Sequence, residues 1–206
     1  YHIKRESLRG GIISSVVPQI TTIVKLAAEK ILQGEVLVVG AGIRTGLNIR
    51  IDNPAQLGSD LVVDSVAAIA GYPVPMLIFD MGTANTVCVI DKNKNYIGGM
   101  IYPGVGVSLD SLTANASQLG GISLEAPEHM IGKNTVECMK SGIIYSSAAA
   151  IDGIIDRLSE ELEGNVTVIA TGGLAKKIIP FCRRDIILDD NLLLKGLEII
   201  YCKNRK

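Results

Sequence analysis

Three short stretches of this chain carry the residue types that phosphate and proton chemistry require. In Asp80-Met81-Gly82-Thr83-Ala84-Asn85-Thr86 an apolar run ends in a carboxylate, a glycine and small hydroxyl residues follow, and a second apolar run begins. The N–H groups of such a turn, with the hydroxyls of Thr83 and Thr86, suit an anion, and Asp80 suits a cation that bridges to phosphate. The same letters also fit a plain hairpin in which Asp80 hydrogen-bonds its own turn. In Ile169-Ala170-Thr171-Gly172-Gly173-Leu174-Ala175 a strand enters a helix through two glycines. That arrangement lets a nucleotide approach the backbone at a helix start, or it is simply a tight turn. It matches neither the dinucleotide fingerprint G-x-G-x-x-G nor the phosphate loop G-x-x-x-x-G-K-[ST]. The third stretch, Gly58-Ser59-Asp60-Leu61, puts a carboxylate at a helix start. Asp60 there is a cap or a base that accepts a hydroxyl proton. Asn134-Thr135 is similarly a cap or a substrate-orienting hydroxyl.

These groups have to be held by regular elements, and the hydrophobic spacing supplies them. Residues 10–17 read as a strand ended by Pro18. From Gln19 to Leu32, Ile20, Ile23, Val24, Ala27 and Ile31 recur at helical spacing and predict an amphipathic helix. Val36–Val39 is a strand of the buried type, and so short a crossover implies a parallel pair. Asp60–Ala70 predicts a helix that stops before Pro73. Beyond it, strands are expected at Met76–Asp80, Thr86–Ile90 and Tyr96–Tyr102, with a hairpin turn at Asp91–Asn95. Helices follow over Val105–Leu119 and Thr135–Leu162, then a strand at Val166–Ala170, a short helix, a strand at Asp185–Leu188 and a helix at Asn191–Cys202. Three antiparallel strands followed by a parallel pair form an RNase H-like unit of the actin and sugar-kinase type, α/β in class. The expected division is a partial N-terminal domain, 1–72, lacking its opening strands, and a complete C-terminal one, 73–206.

Composition narrows the function classes. The chain has 206 residues, 20 basic and 21 acidic, for a net charge of −1, which argues against an electrostatic nucleic-acid binder. Cys88, Cys138, Cys182 and Cys202 form no C-x-x-C, and the only histidines are His2 and His129, so no zinc finger or ribbon fits. His129, in the polar stretch 125–133, is expected to be an exposed loop residue. The longest apolar run, 65–79, is broken by Pro73 and Pro75 and falls short of the ~20 residues of a membrane span. A cytoplasmic protein with no membrane partner is expected.

The order of the stretches matters more than any one of them. IISSVVP (12–18), VGAGIRTGLNI (39–49), DNPAQLGSD (52–60), DMGTANT (80–86), GGMIYPGVGVSLDSL (98–112), IGKNTVECMKSGI (131–143) and ATGGLA (170–175) together resemble the type III pantothenate kinases, within the acetate and sugar kinase/heat-shock ATPase/actin superfamily. The resemblance implies ATP-dependent phosphorylation of pantothenate, the first step of coenzyme A biosynthesis, with ATP, Mg2+ and a monovalent cation, K+ or NH4+. It implies Asp60 as catalytic base, Gly58, Ser59 and Thr135 on pantothenate, and Asp80 on the monovalent cation. It further implies Gly82, Thr83 and Thr86 on phosphate, Gly172 and Gly173 on the adenosine side, and a homodimer.

Three departures accompany the resemblance. The family's opening Asp-x-Gly-Asn-Thr turn, which binds phosphate and magnesium, has no counterpart before Gly10. A tyrosine preceding the Asp-Asn-Pro is Ile51, and the arginine following the catalytic aspartate is Leu61. Losing an arginine that meets a carboxylate removes ~1.5–3 kcal/mol of charge-assisted pairing. Two expectations follow: that these 206 residues alone are inactive as a kinase, or that the chain is a non-catalytic, nucleotide- or metabolite-binding regulatory relative.

Overall fold

The computed structural model describes Lys4, residues 7–116, 118–162 and 164–205. His2 and the rest of the N-terminal reading, and the Ser117 part of the helix expected over 105–119, lie outside the described residues. The chain divides into two compact units, one formed by residues up to Tyr72 with those from Asn191 on, the other by Pro73–Asp190.

In the first unit β1 (Gly11–Ile13) and β2 (Val36–Val38) pair in parallel, as the short crossover requires. The strand expected over 10–17 is only three residues long. Beyond it Ser14 and Ser15 turn their hydroxyls to other partners, Ser59 Oγ at 2.9 Å and Thr21 Oγ1 at 2.7 Å. Helix α1 (Pro18–Leu32) starts on a proline, whose missing N–H costs nothing there, and stops where Gln33 turns left-handed ahead of Gly34. Its packing corrects the sequence reading. Ile20, Ile23, Val24 and Ile31 are 47–66% exposed. The half-buried positions are instead Thr21, Lys25, Ala28, Glu29 and Leu32. Glu29 Oε1 accepts from the Val36 N–H at 3.3 Å, and Leu32 fills the space beside Gly11, so β1 and β2 claim that face.

A two-residue strand β3 (Asn48–Ile49) and a 3-10 turn (Pro54–Gln56) lead into α2 (Ser59–Gly71). Helix α6 (Leu192–Asn204), which the strand count assigns to the C-terminal domain, packs on α2 in this first unit. Gly196 is the reason the two helices meet so closely, since a Cβ there would lie 2.1 Å from Val63 O. Val39, Val63, Val66 and Ile200 form the core, with Leu193 and Leu197 against it. The end of α6 also ties down the 43–47 loop. Asn204 Nδ2 donates to Arg44 O at 2.8 Å, and Lys203 Nζ donates to Thr45 O at 2.9 Å.

The second unit follows the expected order. Strands β4 (Met76–Met81), β5 (Ala84–Ile90) and β6 (Asn95–Pro103) are antiparallel neighbours, and β7 (Thr167–Thr171) and β8 (Ile187–Leu188) extend the sheet in parallel from β4. Asp91 closes the β5–β6 turn by accepting from the N–H groups of Asn93 and Asn95, both at 2.8 Å. Helix α3 (Val105–Asn115) ends four residues earlier than its apolar spacing suggests, because Ala116 is extended. The long α4 (Thr135–Glu161) is capped by Asn134, whose Oδ1 accepts from the Glu137 N–H at 3.0 Å. Its stripe of Ile144, Ala148, Ile151 and Ile155 covers the sheet face formed by Leu77, Phe79, Met81, Val87 and Val89. A short α5 (Ala175–Ile178) follows β7.

Candidate functional site

Asp80 lies near the end of β4, and the sheet register gives it two hydroxyl neighbours. It pairs directly with Thr86 on β5 and with Thr171 on β7. Directly paired residues project to one face of a sheet, so a carboxylate stands between two threonines. The Thr86 Oγ1 is buried and has no hydrogen-bond partner among the described residues. A buried hydroxyl without a partner costs free energy, and a ligand oxygen or cation at this row would supply the missing partner. Asp80 and Thr171 lie at the C-terminal ends of parallel neighbours, where α/β sheets usually hold ligands.

The glycine turns close around this row. Gly172 has φ +96°, and a Cβ there would lie 2.5 Å from Asp80 Oδ1, 2.6 Å from Met81 N and 2.7 Å from Met81 O. Only glycine satisfies both the backbone twist and that approach. The Leu174 N–H donates to Met81 O at 3.3 Å, so the Gly172-Gly173 turn is bonded to the end of β4. On the other side the Gly82 N–H donates to Ala84 O at 3.3 Å, shaping a tight turn in which Thr83 is exposed. Gly173 is also exposed. Burial pushes the phenol pKa of Tyr102 up, so this ring, across the register from Asn85, brings no charge to the site at neutral pH.

The remaining residues singled out in the sequence sit on other elements. Asp60 is half buried in the first turn of α2, where a carboxylate complements the helix dipole. Its Oδ1 accepts from the Leu61 N–H at 2.9 Å and lies 2.4 Å from where a Gly58 Cβ would be, so Gly58 makes room for the carboxylate. Ser59 anchors the helix head, its Oγ donating to Ser15 O at 3.3 Å. Ile51 and Leu61 are both half buried. Thr135 is exposed at the first position of α4, and His129 is exposed in the loop before it.

The structure thus brings Asp80, Gly82, Thr83, Thr86, Gly172 and Gly173 to adjoining turns of one unit, while Gly58, Ser59 and Asp60 head a helix of the other. It adds Thr171, whose one sequence signal is its place at the end of a strand immediately before two glycines. Among the described residues no group of three His, Cys, Asp or Glu is placed to hold a metal ion. The donor set at Asp80 is one carboxylate between two hydroxyls.

A sequence model of the family described as type III pantothenate kinase matches residues 2–157. A type III pantothenate kinase of Bacillus cytotoxicus is 44% identical over 197 residues, which cover 96% of this chain and 75% of the relative. The chain belongs to the type III pantothenate kinase family. It is therefore a phosphotransferase. A second member of the family, from Brevibacillus brevis, is 40% identical over 200 residues, 97% of this chain and 78% of its own length. Solved structures agree on the fold. A Campylobacter jejuni protein assigned to the Baf family of transcriptional activators superposes with a TM-score of 0.60 at 19% identity, over 97% of this chain and 86% of its own. Component A of the (R)-2-hydroxyglutaryl-CoA dehydratase of Acidaminococcus fermentans gives 0.50 at 14% identity, over 97% and 78%. The fold they share with this chain is the mixed α/β architecture that the strand order implies. Among the described residues no helix is long and apolar enough to cross a membrane.

Proposed function

We propose that this chain transfers the γ-phosphoryl group of ATP to the primary hydroxyl of pantothenate, the first step of coenzyme A biosynthesis, as a cytoplasmic homodimer. The observation that carries the reading is the Thr86–Asp80–Thr171 row closed over by Gly172, an arrangement that suits an anion and a cation, in a family of pantothenate kinases. The two units take separate tasks, the first holding the base and the second the phosphate turns.

In this reading Asp60 accepts the proton of the pantothenate hydroxyl, and the freed oxygen attacks the γ-phosphorus as ADP leaves. Gly58 leaves space for that carboxylate, and Ser59 fixes the helix head through Ser14 and Ser15. Thr135 offers an exposed hydroxyl to pantothenate. The Gly82–Thr83 turn and Thr86 face the phosphates, and Gly172 and Gly173 face the adenosine. A monovalent cation, K+ or NH4+, held at Asp80 supplies positive charge beside the phosphate oxygens; Mg2+ arrives with ATP. Phosphoryl transfer depends mainly on positioning and charge stabilisation, and in this reading these residues contribute to both.

The test is an ATP-coupled assay with pantothenate, with and without K+, on the purified chain and its Asp60→Asn variant. The variant keeps the shape and removes the base, so turnover falls about 10²–10⁴-fold while the circular dichroism spectrum stays unchanged. Equal turnover in the variant removes Asp60 from its role. No turnover by the parent chain, with no ATP binding in calorimetry, sinks the kinase reading in favour of a non-catalytic relative, the reading that Ile51 and Leu61 motivate.

A further inference from the structure

The head of α3 meets the Gly82–Thr83 turn through a residue that has no side chain. The Gly104 N–H donates to Thr83 O at 3.0 Å, while its own carbonyl accepts the first helical bond of α3 from Ser108 N at 2.9 Å. Gly104 is buried. A Cβ on it would lie 2.3 Å from both Gly82 O and Thr83 O, and 2.8 Å from Thr83 C. All three are backbone atoms, which cannot swing aside as the end of a flexible side chain can. The Gly104 backbone, φ −68° and ψ 162°, is open to every residue. Glycine is required here by space alone, and what occupies that space is the turn.

We propose that Gly104 is a positioning residue, which seats the Gly82–Thr83 turn where its N–H groups meet a phosphate of ATP. This rests on the assignment of that turn to phosphate made above. The hydrogen bond from Gly104 draws Thr83 toward α3, and the absent side chain lets the turn settle against the helix head. A methyl group at 104 lifts the turn off its seat. A misplacement of about 1 Å at such a site costs as much as ~10²-fold in rate. Asp60 and Ser59 are held by α2 and by the Ser14–Ser15 segment, so the placement of the base does not depend on α3.

The experiment compares the full chain with G104A and with V107A, a change at an exposed position of α3. KM for ATP and for pantothenate, the calorimetric ATP affinity and amide exchange across residues 82–84 are measured on each. For G104A the expected result is a rise of about tenfold or more in KM and Kd for ATP, with faster exchange at 82–84 and an unchanged KM for pantothenate. V107A matches the parent in all of these. If G104A keeps the parent's ATP affinity, or if both KM values rise together, the proposal is overturned. A parent chain that binds no ATP overturns the phosphate assignment itself; exchange at 82–84 then still decides whether Gly104 seats the turn. If G104A does not fold, the parent decides: the Gly104 and Gly82 amides, bonded to Thr83 O and Ala84 O, are slow and slow further when ATP is added. Free exchange at those amides overturns the proposal.

Discussion

Helices α1 and α4 carry the same kind of apolar stripe and meet opposite fates. In α4 the stripe of Ile144, Ala148, Ile151 and Ile155 is buried against the sheet. In α1 no residue is fully buried, and Ile20, Ile23, Val24 and Ile31 face away from β1 and β2. Helical spacing of apolar residues states that a helix can bury a face. Which face is buried depends on the width of the sheet beneath it. Side chains of β4, β5 and β7 cover a whole stripe in the second unit, whereas β1 and β2 reach only the Thr21, Lys25, Ala28 and Leu32 side.

This contrast can be broken by substitution. Ile151→Ala, at a side chain only 1% exposed, is expected to cost about 2–5 kcal/mol in chemical denaturation. Gly196→Ala drives a methyl group into the Val63 backbone and should cost about 1–3 kcal/mol, the penalty for overpacking. Ile23→Ser, at 66% exposure, is expected to shift stability by no more than about 0.5 kcal/mol. Were Ile23→Ser to cost as much as Ile151→Ala, the α1 stripe would be buried in solution, and the distinction between the two helices would fail.

Most elements were legible because their signals are local. Apolar runs with polar breaks placed β4, β5 and β6, Asp91–Asn95 marked the hairpin, and Asn134 marked the start of α4. The site was legible as residue types, since a carboxylate and glycines stand out in any context. What escaped is what depends on two segments at once. The alignment of Asp80 with Thr86 and Thr171 is a property of strand register. The approach of Gly172 to Asp80, and of Gly104 to Thr83, exists only after the turns have met. The place of α6 was missed for the same reason. Its own letters state that it is a helix, and only the gap opposite Val63 states which unit needs it.

The return of α6 to α2 bears on the order in which the protein forms during synthesis. Every residue of Pro73–Asp190 is joined to the chain before any residue of α6. Every strand beside Asp80 in the second unit is therefore synthesised before the helix that covers α2. Although Asp60 is translated early, the helix that carries it is the last to find its neighbours, and a chain cut ahead of Leu192 would keep every strand of the second unit and leave α2 uncovered.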